Sequence, residues 1–282
     1  MATLIQTLQQ VLESKDPALL AETRRILLKE ALQAIVLDYL YNHPHYRLLN
    51  FYGGTCLHVV YGLNRLSEDL DLDNGRELDL SRLGNDLGAL FQGAWGYDAL
   101  TTASQHGESR ILRILLKFPL LNRLGLSPHP EEALHLKLEI SQHQQVAVIQ
   151  NTPVFYYGHS FVPAHFSLET MMAGKILACL ERSFQRGKAE VWVKGRDFYD
   201  LLWFMQQGVR PLEKKLARDG QKPYTIWTAM QALREKVAGL RTTDLATDLL
   251  PMFESRTFIE AWLEGFHTNF ERFAEGYLGQ TS

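Results

Sequence analysis

The chain has 282 residues, of which 46% are apolar and 22% charged, and a formal charge of −3. That balance builds an ordinary globular core and excludes a disordered polyelectrolyte. It also argues against wholesale nucleic-acid coating, although a local basic groove is compatible with it.

Cys56 and Cys179 are far apart and fit no metal spacing, so both are expected to be plain thiols in a reducing compartment. No stretch approaches the roughly 20 apolar residues of a membrane span. The first residues, MATLIQTLQQVLESKD, lack a basic region followed by an apolar run. A soluble, cytoplasmic protein without membrane partners is the expectation.

In chain order, residues 4–42 predict a helix, with Ile26, Leu27, Ala31, Ala34, Ile35 and Leu37 at helical spacing. Pro44 closes it. Residues 47–52 predict a strand, Gly53-Gly54 a break, 55–61 a helix start, and 69–73 a strand by strict polar/apolar alternation. A helix is expected over 79–95, strands over 109–118 and 133–141, and a further strand near 154–162. From Ser167, a good N-cap residue, the pattern turns helical: 167–186, 196–207, 224–239 and 256–277. Segments 187–195 and 218–223 predict loops. A mixed α/β part with N-terminal helices, 1–165, is therefore expected before a helical part, 166–282.

Chemistry concentrates in NFYGGTCLHVVYGLNRLSEDLDLD, residues 50–73. Alternate strand residues share a face, so Asp69, Asp71 and Asp73 project together while Leu70 and Leu72 pack inward. Neighbouring carboxylates roughly 6–7 Å apart repel by about 2 kcal/mol at an effective dielectric near 20, and a divalent cation would reverse that sign. In ALHLKLEIS, Leu134, Leu136, Leu138 and Ile140 alternate with His135, Lys137, Glu139 and Ser141. If the two strands are neighbours, Glu139 joins Asp69 and Asp71, and three acids hold two Mg²⁺ ions for an in-line displacement. Gly53-Gly54 between a strand and a helix exposes helix N-terminal N–H groups to an anion; Thr55 adds a hydroxyl or caps the helix. A Gly-Gly turn or an Asp-x-Asp strand by itself is compatible with a purely structural role; their order and element types are what carry weight.

That joint pattern resembles the polymerase-β-like nucleotidyltransferase superfamily, with a slightly long interval between Gly54 and Asp69. In detail, Gly53-Gly54-Thr55, Arg65, Ser67, Asp69 and Asp71 look like the first motif of the AbiEii/AbiGii-type (MenT-like) toxins. Glu139 in LKLEI, Lys175 with Arg182, and Arg196-Asp197-Phe198-Tyr199-Asp200-Leu201 match the later motifs, so the likeness covers roughly residues 48–205.

The resemblance implies an α+β fold in which a nucleotidyltransferase core, 1–165, precedes a helical lobe, 166–282. It implies transfer of a nucleoside monophosphate from an NTP to a hydroxyl, with Mg²⁺ or Mn²⁺ on Asp69, Asp71 and Glu139. Gly53, Gly54, Thr55, Arg65, Ser67, Lys137, Arg182 and Arg196 would bind the nucleotide, and Lys175 and Asp197 would complete the catalytic set. Lys175 and Arg182, seven apart, are expected on one helix face. Asp197 would orient Lys175, hold the nucleotide or accept a proton.

A toxin acting on tRNA 3′ ends, with a cognate antitoxin protein as partner, follows from the same likeness. Lys188, Lys194, Arg196, Lys214, Lys215 and Arg218 are candidates to flank the acceptor. Transfer to a protein or small molecule, or non-catalytic nucleotide binding beside an antitoxin, are the alternatives. The ten histidines form no zinc spacing, and the aromatic stripe Phe258, Trp262, Phe266, Phe270, Phe273 and Tyr277 predicts core or interface.

Overall fold

A computed structural model describes residues 3–107, 110–182, 184–186, 189–191 and 193–279. The chain divides into two units, Met1–Gln144 with Gln150–His165, and Gln145–Ile149 with Phe166–Ser282.

In the first unit the expected long N-terminal helix is two, α1 (Leu4–Glu13) and α2 (Ala21–Asn42). Asp16-Pro17 lies between them, and a proline ring restricts its predecessor to extended backbone. α1 opens with a capping box, Thr3 and Gln6 bonding reciprocally. α2 is buried on nearly all sides, so its polar Glu30 (2% exposed) and Gln33 (0%) need partners inside the protein.

A 3₁₀ turn (Tyr46–Leu48) leads into β1 (Asn50–Tyr52), α3 (Gly53–Tyr61), β2 (Leu70–Asp73) and α4 (Leu83–Trp95). Gly62, left-handed at φ 74°, ends α3 as a C-cap glycine. Next come β3 (Thr101–Gly107), β4 (Ile111–Phe118) and β5 (Leu134–Ser141). The expected strand near 154–162 is a hairpin of β7 (Val154–Tyr156) and β8 (His159–Phe161), preceded by β6 (Ile149–Asn151) and followed by β9 (Ala164–Phe166). Tyr157 and Gly158, both at positive φ, make the hairpin turn.

Seven strands form one mixed sheet in the order β3-β4-β5-β2-β1-β9-β6. β2 runs parallel to β5 and antiparallel to β1; β4 is antiparallel to both β3 and β5. Leu70, Leu72, Leu112, Ile114, Leu116, Leu136, Leu138 and Ile140 are buried on one face. Their alternation with polar residues leaves the other face to the charged side chains.

The second unit contains α5 (Leu168–Glu181), the hairpin β10 (Phe184–Arg186) and β11 (Ala189–Val191), α6 (Gly195–Gln206), α7 (Glu213–Asp219), α8 (Ile226–Ala238), α9 (Thr242–Leu249) and α10 (Arg256–Leu278). The expected helix 167–186 stops at Glu181, and a hairpin takes the end of that span and part of the expected loop 187–195. Ser167 caps α5 by accepting from the Thr170 N–H (3.3 Å). Phe266 and Phe270 of the aromatic stripe are buried, Phe266 edge-on to Phe198 of α6, whereas Phe258 is exposed. Among the described residues no helix is long and apolar enough to cross a membrane.

Candidate active site

The first unit gathers the expected acids around the start of α3. Gly53 sits at φ 79°, a region L side chains rarely adopt, and a Cβ there would collide with the Asp71 carboxylate. A Cβ on Gly54 would lie 2.5 Å from Arg65 Nη2 and 3.1 Å from Ser67 Oγ. The pair is thus glycine because an acid and a guanidinium press against the helix N-terminus.

Strand pairing sets the acids. Tyr52, Asp71, Glu139, Arg113 and Gln105 are successive register partners across β1, β2, β5, β4 and β3. Leu70 pairs with Leu138, so Asp69 stands just before β2 beside Lys137. Lys137 Nζ bridges Asp69 Oδ2 (3.1 Å) and Glu139 Oε1 (3.4 Å), and Arg113 Nε donates to Glu139 Oε1 (2.9 Å). Asp69 and Glu139 are therefore one ammonium apart.

Burial raises the Glu139 pKa, but Arg113 and then Lys137 outweigh it and hold the carboxyl below its ordinary value. Burial likewise opposes the Lys137 ammonium, yet Asp69 and Glu139 prevail and raise its pKa. Asp73 stands apart from this group: it is buried and accepts from Asn50 Nδ2 (3.0 Å) and the Gly75 N–H (3.2 Å), fixing the turn after β2. Among the described residues no three His, Cys, Asp or Glu side chains are grouped to hold a metal ion.

The segment entering β2 is held from below. Thr55 Oγ1 bonds Ser67 Oγ (2.8 Å) and, by a short contact, the Asp69 carbonyl. Ser67 N–H donates to Glu30 Oε1 (3.1 Å), and Gln33 Nε2 donates to the Ser67 carbonyl (3.0 Å). Thr55, Arg65 and Ser67 are 0%, 4% and 7% exposed. The Thr55 hydroxyl is thus engaged inside the turn, and these three residues brace the backbone that carries Asp69 and Asp71.

The second unit has its own cluster. Lys175 Nζ on α5 donates to Asp197 Oδ1 (2.7 Å) and lies 2.9 Å from Asp200 Oδ2, both on α6. Burial raises the Asp197 pKa, but Lys175, then Arg182 and Arg196, outweigh it and hold it below the usual carboxylate value. Gly195 lets α6 approach α9, because a Cβ there would strike the Leu245 carbonyl.

Arg182 does not share a helix face with Lys175. It is the exposed C-cap of α5, and the chain turns extended there. The Arg196 N–H donates to Asp248 Oδ2 (3.0 Å). Of the basic residues expected at an acceptor, Lys214 and Arg218 are exposed. Lys215 is buried on Asp219 (2.7 Å), and Lys188 lies outside the described residues.

Sequence reasoning did not single out Arg113, Glu30 or Gln33. Glu30 and Gln33 sit among several other polar residues of α2, and Arg113 is one charge in an alternating strand, so none of the three carried a distinguishing signal. Asp200 was noted without a role, and its complete burial against Lys175 is the new fact.

Comparison with solved structures gives JHP933 from Helicobacter pylori, 19% identical, covering 90% of this chain and 92% of that chain, with a TM-score of 0.51. A second H. pylori protein, provisionally assigned as a nucleotidyltransferase, is also 19% identical, covers 89% and 92%, and has a TM-score of 0.49. At this identity the first shows the fold alone. No curated protein sequence matches the chain significantly. The family model described as nucleotidyl transferase AbiEii toxin, type IV TA system, matches residues 35–282. With that match spanning most of its length, the chain belongs to the AbiEii nucleotidyltransferase toxin family of type IV toxin–antitoxin systems.

Proposed function

We propose that this chain transfers a nucleoside monophosphate from an NTP to a hydroxyl of the tRNA 3′ end, as a toxin countered by a cognate antitoxin protein. The observation that carries the transfer is the pairing of Asp71 with Glu139, with Asp69 on the same face, at the glycine start of α3. The acceptor is taken from the likeness to MenT-like toxins.

The donor set suits a hard cation. Asp69 and Asp71 offer carboxylate oxygens, and Mg²⁺ is commonly bound by one or two carboxylates plus substrate phosphates. Glu139, held by Arg113 and Lys137, is the third acid beside that pair. A bound Mg²⁺ or Mn²⁺ would neutralise phosphoryl oxygens as the α-phosphorus is attacked and pyrophosphate leaves.

The chain's own groups do the rest. Backbone N–H groups at the start of α3 are the anion-binding element of this reading, with the Asp71 carboxylate against Gly53 and the Arg65 guanidinium against Gly54. Arg65 and Ser67 brace this turn, with Thr55 locking it. Lys137 supplies a movable positive charge, and Arg113 keeps Glu139 ionised. In the second unit Lys175, fixed by Asp197 and Asp200, is proposed to hold α5 against α6, and Arg182 and Arg196 are proposed to bind anionic groups of the nucleotide.

Incubation with labelled NTPs, Mg²⁺ and total RNA tests both parts. Label on tRNA with release of pyrophosphate is expected. Label on protein or a small molecule instead would overturn the tRNA acceptor, and no label on any acceptor would overturn the transfer.

A further inference from the structure

Lys137 stands where a cation is wanted. Its ammonium is shared between Asp69 (3.1 Å) and Glu139 (3.4 Å), and it sits on the open face of the sheet beside the acid pair. The three side chains are 35%, 29% and 28% exposed, so water reaches all of them. Ion pairs this exposed add little net stability, which makes them easy to exchange. A lysine carries its charge on a four-carbon stem with three rotatable donors, so the head can leave one anion for another without moving the strand. Arg113 lacks this freedom of choice among the site's acids, since Glu139 is the carboxylate it meets here.

We propose that Lys137 is a stand-in cation: it neutralises Asp69 and Glu139 until a divalent ion binds, then yields Asp69 to that ion and turns to the phosphates of the nucleotide. This rests on the nucleotidyl-transfer reading above and adds a competition to it. The ammonium and the metal seek the same carboxylate oxygens, so Lys137 weakens metal binding when no nucleotide is present. Once phosphates arrive, the same charge strengthens their binding. Removing it must therefore move two affinities in opposite directions, which a simple structural lysine would not do.

The test uses the full chain as wild type, Lys137→Met and Lys137→Gln, the second guarding against a packing artefact in the first. Mn²⁺ binding without nucleotide is read by electron paramagnetic resonance of the free ion. Binding of α,β-methylene-ATP at saturating Mn²⁺ is read by titration calorimetry, and thermal melts check the fold. Both variants are expected to bind Mn²⁺ about threefold to fivefold more tightly and the analogue about tenfold more weakly.

Unchanged or weakened Mn²⁺ binding in both variants overturns the competition, and unchanged analogue binding overturns the hand-over. If wild type transfers label but the affinities do not split in this way, only the role of Lys137 falls. If wild type binds neither probe and transfers no label, the transfer reading falls and this one with it.

Discussion

Two lysines in this protein each meet two carboxylates, and they differ in how much water they see. Lys137, Asp69 and Glu139 keep 28–35% of their side-chain surface exposed. Lys175, Asp197 and Asp200 keep 14%, 7% and 0%. The ingredients match, but the consequences do not. In the exposed group Coulomb attraction is screened and competes with solvation, so partners can be traded. In the buried group the charges have little water to return to, and losing Lys175 leaves the two aspartates under-compensated. The first arrangement suits binding a charged ligand; the second fixes the geometry between α5 and α6.

The largest stability effect that would sharpen this contrast comes from Lys175→Met. It leaves two buried aspartates without their ammonium and should cost about 3–5 kcal/mol in chemical denaturation. A loss under about 1 kcal/mol would break the contrast. Gly53→Ala comes next, at about 1–3 kcal/mol, because a positive φ and the Asp71 carboxylate both oppose the added methyl group. It should also lower transfer activity by displacing Asp71.

Acid sensitivity tests the buried group on its own. Asp197 has its pKa depressed in the folded chain. Its contribution is present above the unfolded carboxylate value of about 3.9 and is lost as pH falls through the lower folded value. Comparing wild type with Asp197→Asn, the stability difference should shrink on acidification below about pH 4; a difference that grows would contradict the assignment. Lys137→Met should have the smallest effect on stability, under about 1 kcal/mol. A loss as large as that of Lys175→Met would abolish the distinction between the two clusters.

Alternation made the acids of β2 and β5 legible in the sequence, and the change from period two to helical spacing made the α+β class legible. What lay beyond reach was mostly relational. The pairing of Asp71 with Glu139 depends on parallel strands nearly 70 positions apart in the chain, and no local pattern sets that register. β3, TTASQHG, is a polar edge strand with too few apolar residues to show a period. α7 and α9, at 7 and 8 residues, are too short to develop one.

The spacing of Lys175 and Arg182 suggested a shared helix face because spacing does not reveal that α5 ends at Glu181. The inward bond of Thr55 was equally invisible: a hydroxyl beside two glycines reads the same whether it faces a phosphate or, as here, Ser67.

The account stands most directly on the pair Asp69 and Asp71. Labelled-NTP transfer by wild type and Asp69→Asn, each shown to be folded by its melt, measures it. Loss of transfer on the order of a thousandfold with the fold retained is the predicted result. Equal labelling by the two proteins would contradict it.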